Sequence, residues 1–339
     1  MKEEILLAGN VLACRASRFL NKPLSYPLNV SLSVTDRCNS RCKTCNVWKR
    51  KAYETELSTW EWEQILMNIG HPYWISISGG EPMMRPDIAD ILLLVEKIVH
   101  PKKLSIATNG LLPETTLHVI ERLLASRAGQ TIVNLSIDEV DEKYTSVRGI
   151  DGFEKVKKTL YLLKGIQSKK LIVGVNIVLS RHNEERLPYI YERVMELDPD
   201  SVICEVAQEK KAIYAPACSP KRESVIAAVT KLLGSDSQKK KARLIRSLRD
   251  RYYRLVLNQL DGKKIDCFAG IASCIISPHG KVLNCSVRAD CMGDLREDGY
   301  DFRKTWKSAL ASDSRDKARG CYCSDAGSNY VNILCNCRP

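Results

Sequence analysis

The sequence predicts an α/β fold: a partial (β/α)6 barrel of the TIM type, followed by a helical linker and a small cysteine-rich domain. Three observations support this. Short β-branched runs alternate with amphipathic helical stretches from residue 28 onward, polar and glycine-rich segments follow the predicted strands, and cysteine and glycine become frequent from Cys267. Strands that alternate with helices in series favour parallel pairing with right-handed crossovers.

The individual elements follow from local patterns. Ser58 and Glu61 form a capping box that predicts a helix start, and a second helix is predicted to begin at Asn183. Six units are too few for a closed barrel, which needs about eight strands, so an open barrel is expected. The six predicted strands cover residues 28–34, 73–78, 103–108, 131–137, 171–179 and 201–207.

Composition shifts divide the chain into four predicted segments. They are an N-terminal helical segment (1–27), the barrel (28–215), a helical linker (216–266) and the cysteine-rich domain (267–339). No apolar run reaches the roughly 20 residues that cross a bilayer. Leu6, Leu7, Val11 and Leu12 can share one face of the first helix, which leaves peripheral membrane contact open.

The net charge is +12, and basic residues occur throughout the chain. The densest basic run, residues 238–254, has apolar residues at helical spacing and indicates a solvated helix face rather than a nucleic-acid site. An anionic substrate or an acidic electron donor, such as a ferredoxin or flavodoxin, is compatible with this charge.

Fourteen cysteines without an export signal indicate metal binding in a reducing compartment, and therefore a cytoplasmic protein, more than a disulfide framework. Eleven of them lie in two groups, at 38–45 and 267–337. Cys14, Cys204 and Cys218 stand apart and are predicted to be ordinary buried residues.

Polar residues follow all six predicted strands. In parallel α/β barrels the carboxyl ends of the strands meet at one site, so these segments are expected to surround a single active site. They are the cysteine loop after the first strand, GGEP (79–82), TNG (108–110), Ser136 with Asp138, SRHN (180–183) and Gln208.

Cys38, Cys42 and Cys45 are spaced C-x3-C-x2-C on the loop after the first strand. Three cysteines cannot complete a tetrahedral zinc site by themselves. They can hold three irons of a four-iron, four-sulfur cluster and leave the fourth iron open. This motif, with GGEP after the second strand, resembles the radical S-adenosylmethionine (radical SAM) enzymes. Zinc bound with a distant fourth ligand is the alternative.

The resemblance implies that the open iron binds S-adenosylmethionine, whose reductive cleavage gives a 5′-deoxyadenosyl radical that takes hydrogen from substrate. By position, Gly79 and Gly80 allow close backbone approach in the methionine-binding loop, and Glu81 is expected to pair with the amino group. Ser136 and Asp138 match ribose- and carboxylate-contacting positions, and Asn109 and Asn176 are further candidates. A simple strand-ending turn explains residues 108–110 equally well.

One position departs from the family. The residue before the last cysteine is often aromatic and packs against adenine, whereas here it is Thr44. Adenine packing must then come from another residue, with Val47 and Trp48 as candidates.

The C-terminal region resembles the SPASM or twitch extensions of radical SAM enzymes, which hold auxiliary clusters. Cys267, Gly280 and Cys285 fit C-x12-G-x4-C, and MGDLRE (292–297) and GCYC (320–323) follow in order. At least one auxiliary cluster is expected; the full cysteine ladder of a SPASM domain is absent, so one cluster is favoured over a second cluster or zinc bound by the remaining cysteines. The resemblance implies the ligands Cys267, Cys285, Cys321 and Cys323, with Cys274, Cys335 and Cys337 as further candidates.

The predicted function is hydrogen abstraction from an anionic small molecule or a lipid- or sugar-linked substrate, leading to oxidation or carbon–carbon bond formation. Only the 27 residues of the N-terminal segment precede the first predicted strand, which is expected to leave no room for a fused leader-peptide-binding domain. A peptide- or protein-modifying maturase is the alternative enzyme. A non-enzymatic iron–sulfur electron carrier is the alternative of another class.

Overall fold

The computed structural model describes residues 2–20, 22–50, 55–208, 214–233 and 243–336. Its centre is a nine-stranded sheet in the order β6-β5-β4-β3-β2-β1-β7-β8-β9. All pairings from β6 through β7 are parallel, and β8 and β9 are added antiparallel. The strands are β1 (Asn29–Ser33), β2 (Trp74–Ser78), β3 (Lys103–Thr108), β4 (Gln130–Ser136), β5 (Leu171–Leu179), β6 (Ser201–Val206), β7 (Ser273–Ile276), β8 (Lys281–Leu283) and β9 (Cys291–Asp294).

Helices connect the strands and cover one face of the sheet. They are α1 (Lys2–Leu20), α2 (Thr59–Asn68), α3 (Ile88–Leu94), α4 (Pro113–Ser126), α5 (Tyr144–Arg148), α6 (Phe153–Gly165), α7 (Leu187–Glu196), α8 (Arg222–Leu233), α9 (Arg243–Leu260), α10 (Phe302–Lys307), α11 (Ala309–Lys317) and α12 (Ala326–Asn336). The α/β fold class is therefore confirmed, and the six predicted strands agree with β1–β6 to within one residue at each end.

The capping box at α2 is confirmed. The Ser58 hydroxyl accepts from the Glu61 backbone N–H, and the Ser58 N–H donates to the Glu61 carboxylate at 2.8 Å. The helix predicted to begin at Asn183 begins later, because a 3-10 turn over Glu184–Arg186 precedes α7. The Asn183 side chain does not cap this turn and instead accepts a hydrogen bond from the Ser180 N–H.

The strands are apolar on one side and polar on the other. Val30, Ile75 and Leu104 are fully buried on the helix-covered side. Ser31, Ser76 and Ser105 occupy the alternate positions in register and line the barrel interior. Small polar side chains therefore leave room inside the barrel, while the apolar face forms the core.

The cysteine-rich region continues the barrel sheet. Its first strand, β7, pairs parallel with β1 over Asn29–Leu32, and only then does the chain turn into the β7–β8 hairpin near Gly280. Strand β7 is thus the seventh parallel strand of the sheet, added at the free edge of β1. It is also the first strand of the cysteine-rich region.

Helix α9 covers the opposite edge of the sheet. The Arg249 guanidinium donates to the Val202 carbonyl at 2.6 Å, and the Cys204 N–H donates to the Tyr253 hydroxyl at 2.9 Å. These contacts satisfy polar groups of the edge strand β6 that would otherwise be available for pairing with another chain.

Helix α1 corrects one expectation. Leu7 and Val11 pack against a small cluster that includes Cys14 and Cys335, whereas Leu6 and Leu12 are 67% and 60% exposed. The four side chains therefore do not share one face. No helix within the described ranges has the length and apolar character required to cross a membrane.

Candidate active site

The loop that carries Cys38, Cys42 and Cys45 follows β1 and is fixed by backbone hydrogen bonds to the end of α5. The Arg41 N–H donates to the Arg148 carbonyl at 3.1 Å, and the Lys43 N–H donates to the Val147 carbonyl at 2.9 Å. The Ser40 hydroxyl also donates to the Arg148 carbonyl, at 2.9 Å. The sequence segment after β4 thus acts as the support of the cysteine loop.

The GGEP loop after β2 also packs directly on the cysteine loop, at the residues just before Cys38. The Gly80 N–H donates to the Thr35 carbonyl at 2.6 Å, and the Glu81 N–H donates to the Arg37 carbonyl at 2.8 Å. A Cβ atom on Gly79 would lie 2.4 Å from the Thr35 oxygen, and one on Gly80 would lie 2.2 Å from the Arg37 oxygen. The two glycines are therefore required by the contact with the cysteine loop.

Glu81 is 1% exposed, and its carboxylate is occupied within the protein. It accepts hydrogen bonds from the Thr108 hydroxyl at 2.7 Å and from the backbone N–H groups of Asn109 and Met83 at 2.6 and 3.0 Å. Burial raises the pKa of this carboxyl. Glu81 therefore links the ends of β2 and β3, and its expected pairing with the amino group of S-adenosylmethionine stays a prediction.

Asn109 lies between β3 and the cysteine loop. Its amide nitrogen donates to the Asn39 side-chain oxygen at 2.7 Å and lies 3.9 Å from the Cys38 sulfur. Its side-chain oxygen accepts from the Leu111 N–H at 3.0 Å. Asn109 therefore positions Cys38 and shapes the turn at the same time.

Asp138 forms a buried ion pair with Arg148, with 2.7 Å between Oδ2 and Nη1. Its other oxygen accepts from the Val178 N–H at 2.8 Å. Burial alone would lower the pKa of the Arg148 guanidinium, but the neighbouring Cys42 and Asp138 raise it well above its usual value. Asp138 is thus the ion-pair partner of the residue that supports the cysteine loop, and its expected role as a cofactor contact stays a prediction.

Ser136 and Asn176 are register partners at the ends of β4 and β5. The Asn176 amide nitrogen lies 3.4 Å from Glu205 Oε1 on β6. Of the residues at the end of β6, Glu205 therefore faces the barrel interior, whereas Cys204 is buried in the main core.

Thr44 stands where the family often has an aromatic residue, and in this structure an aromatic residue from another segment, Tyr214 after β6, lies beside the cysteine loop. Tyr214 pairs with Cys45 in an isolated β-bridge, and its carbonyl accepts from the Asn46 side chain at 2.6 Å. Val47 is buried, and the Trp48 ring lies between the Arg41 and Lys49 side chains while its Nε1 donates to the Cys42 carbonyl. Sequence reasoning missed Tyr214, because no local signal connects it with Cys45.

A second group of cysteines forms in the C-terminal region. Cys267, Cys285 and Cys323 are buried in one cluster, with the partly buried Cys321 packed against it. The contact with Cys321 and then burial raise the pKa of the Cys267 thiol, and burial raises that of Cys285. These are the four residues of the predicted auxiliary ligand set, brought together from three separate segments.

The remaining cysteine candidates lie elsewhere. Cys274 is in the main core near Arg315, and Cys335 packs against Cys14, whose pKa is lowered by their hydrogen bond. Neither lies in the four-cysteine cluster, and their role as further ligands stays a prediction. Cys337 lies outside the described residues. Cys14, Cys204 and Cys218 are buried, as expected.

Both cysteine groups fit sulfur ligation of a polynuclear centre. Burial raises the pKa of Cys45 to about 11 and also raises that of Cys38, so these side chains are thiols unless a bound metal stabilises the thiolate. Within the described ranges no three His, Cys, Asp or Glu side chains are arranged around a single metal ion. An iron–sulfur cluster is wider than one ion and is held by cysteines that stand further apart.

Comparisons with known proteins agree with this geometry. The model of the Radical SAM superfamily matches residues 32–194. Molybdenum cofactor biosynthesis protein moc-5 of Caenorhabditis elegans is 33% identical over 45% of this chain and 25% of its own length. PqqA peptide cyclase of Bradyrhizobium diazoefficiens is 29% identical over 79% of this chain and 68% of its own length.

Among solved structures, Streptococcus suis SuiB bound to precursor peptide SuiA superimposes with a TM-score of 0.61 at 18% identity, covering 88% of this chain and 68% of that one. At this identity the likeness shows the fold alone. Residues 32–194 are therefore a Radical SAM region of the chain, and the chain spans between a quarter and about two thirds of the length of the two curated relatives named above. The family implies a four-iron, four-sulfur cluster and S-adenosylmethionine.

Proposed function

We propose that the chain cleaves S-adenosylmethionine reductively at a cluster held by Cys38, Cys42 and Cys45. The observation that carries this proposal is the clamped cysteine loop, held by backbone hydrogen bonds from the GGEP loop on one side and from residues 147–148 on the other. A cluster held by these three cysteines would supply the electron that cleaves S-adenosylmethionine to methionine and a 5′-deoxyadenosyl radical, which would take a hydrogen atom from substrate.

The residues around the loop have positioning roles in this proposal. The backbone of Gly79 and Gly80 is the surface that we assign to the methionine moiety, because the Glu81 carboxylate is already engaged by β3. Ser136 and Asn176 are assigned to the ribose side of the site, since they face each other at the ends of β4 and β5. The electron is assigned to a ferredoxin- or flavodoxin-like donor.

The test is anaerobic reconstitution, reduction with dithionite, addition of S-adenosylmethionine and quantification of 5′-deoxyadenosine. The wild-type chain is expected to form 5′-deoxyadenosine, and Cys42→Ala is expected to abolish it. Cys291→Ala is the matched control, because Cys291 is exposed on β9 and lies outside both cysteine groups. Equal product from wild type and Cys42→Ala contradicts the proposal, as does a wild-type chain that makes none.

We assign one auxiliary cluster to Cys267, Cys285, Cys321 and Cys323. Iron and sulfide counts on a variant with Cys38, Cys42 and Cys45 all changed to alanine should then give about four irons per chain. Adding Cys285→Ala to that variant should remove most of this iron. A count near zero in the triple variant excludes the auxiliary cluster, and a count near eight requires a second one.

The substrate class has two candidates, a small molecule and a peptide. The peptide class is favoured by PqqA peptide cyclase, the relative that matches most of this chain among those described above. The expected anionic substrate is not supported, because the interior cavity of the barrel is lined by carboxylates and, within the described residues, by no basic side chain.

A further inference from the structure

A cavity of about 230 Å³ lies on the polar, inner side of the barrel sheet. Ser78, directly before the GGEP loop, lines one side, and Cys285 of the auxiliary group lines another. The remaining wall consists mostly of serine and asparagine side chains, which come from β1–β4, from β7 and from the C-terminal region. The cavity is large enough for one side chain or a small polar molecule.

Two carboxylates face this cavity from different parts of the fold. Glu205 comes from the end of β6, and Asp325 from the residue before α12. Asp325 accepts hydrogen bonds from the Ser286 hydroxyl and the Ser328 N–H, each at 2.8 Å, so its position is fixed. These two are the acidic side chains among the described lining residues, and no basic side chain is among them.

Two amide oxygens add to this acceptor character. Oδ1 of Asn134, which lines the cavity, and Oδ1 of Asn176, whose nitrogen contacts Glu205, are buried without a hydrogen-bond partner in the described part of the chain. A buried unpaired acceptor is unfavourable. The like charge of Asp325, added to burial, also raises the pKa of Glu205. A ligand that donates hydrogen bonds and carries positive charge relieves both effects.

We propose that this cavity anchors the substrate through a protonated amine or guanidinium group held between Glu205 and Asp325. Such groups are donor-only cations with several N–H bonds, which matches a lining of carboxylates and amide oxygens. The proposal rests on the function proposed above and names its substrate class, a molecule or peptide side chain with a basic nitrogen. The net charge of +12 suggested an anionic substrate instead, because it is a property of the whole chain and not of this cavity.

The test is calorimetric binding to the reconstituted enzyme with S-adenosylmethionine present and no reductant. The probes are N-acetyl-lysine amide and N-acetyl-arginine amide, compared with the neutral N-acetyl-glutamine amide and the anionic N-acetyl-glutamate amide. At least one cation is expected to bind about tenfold or more tightly than both of the others. Equal binding of all four, or none, overturns the proposal.

Two isosteric variants locate the effect. Glu205→Gln and Asp325→Asn are each expected to weaken cation binding by about tenfold. Asparagine retains the helix-capping ability of residue 325, and circular dichroism with a melting curve checks the fold of both. Glu223→Gln, an exposed carboxylate on α8, is the matched control and should bind as wild type does. Variants that bind the cation unchanged contradict the assignment.

The binding result is separate from the proposed radical chemistry. The variant lacking Cys38, Cys42 and Cys45 should still bind the cationic probe, without S-adenosylmethionine, through Glu205 and Asp325. Absence of 5′-deoxyadenosine in the wild type would remove the proposed function and leave the cation result standing. Loss of cation selectivity with normal cleavage would remove the substrate class alone.

Discussion

Gly80 lies where the loop after β2 crosses the cysteine loop, and Gly149 lies where the end of α5 crosses it. A Cβ atom on Gly80 would be 2.2 Å from the Arg37 oxygen, and one on Gly149, where φ is +69°, would be 2.4 Å from the Arg41 oxygen. Either contact must displace the loop, at about 1–3 kcal/mol. Gly80→Ala and Gly149→Ala are therefore expected to lose the loop-bound cluster.

The measurement is iron content and 5′-deoxyadenosine formation after reconstitution. Gly165→Ala is the control, because a Cβ there meets no atom within 4 Å and the residue ends a helix. It should behave as wild type or be slightly more stable. A Gly80→Ala enzyme with full iron and full activity would show that the loops adapt to the extra atom.

The Asp138–Arg148 pair is the second residue-level case. The side chains are 1% and 7% exposed, so Asp138→Asn leaves a buried cation without its counter-ion. The expected loss of unfolding free energy is about 3–5 kcal/mol, measured by urea unfolding. Asp90→Asn removes the partner of Arg122 in an exposed pair and should change stability by less than about 1 kcal/mol. Similar losses in both variants would mean that the buried ion pair contributes no more to the free energy of unfolding than the exposed one.

At the scale of elements, the strands were predictable because alternation and burial act over a few neighbouring residues. The polar interior was also readable, since serine recurs at every second position in β1 and β2. The pairing of β7 with β1 was not, because strand partners distant in sequence leave no local pattern. For the same reason Asp325 could not be connected with Glu205, and the partners of the Glu81 and Asp138 carboxylates within the protein could not be predicted.

The contact between α9 and β6 gives an element-level prediction. Tyr253→Phe removes the acceptor of the buried Cys204 N–H, and an unsatisfied buried donor costs about 1–3 kcal/mol. Urea unfolding should show this loss. Tyr161→Phe, with its side chain 56% exposed on α6, should leave stability unchanged. If Tyr253→Phe is equally neutral, the edge of β6 is protected by other contacts.

At the scale of the whole molecule, a basic protein surrounds an acidic interior. The carboxylates of the cavity come from elements that are far apart in the sequence, β6 and the start of α12. Folding therefore brings like charges together in a partly enclosed space, and this arrangement should make stability depend on pH.

Glu205 is the group expected to make the stability depend on pH. Burial and then the charge of Asp325 raise its pKa from 4.5 to about 8, with a smaller contribution from Asp138, while Asn176 opposes the shift. Tyr214, Tyr252 and Tyr330 also face it, and their own pKa values are raised by burial and by Glu205. Between pH 4.5 and 8 the folded chain holds a proton that the unfolded chain releases, so stability falls as pH rises through this range and levels off above it.

Glu205→Gln should remove this slope. Relative to the variant, the wild type is expected to lose up to about 1.4 kcal/mol of unfolding free energy per pH unit between roughly pH 6 and 8, measured by urea unfolding at a series of pH values. Glu223→Gln, exposed on α8, should keep the wild-type slope. Infrared difference spectra provide an independent check, because a protonated Glu205 adds a carboxylic-acid C=O band near neutral pH that disappears in Glu205→Gln. Parallel pH profiles for wild type and Glu205→Gln would mean that Glu205 is ionised in the folded chain and that the cavity is more solvated than its lining indicates.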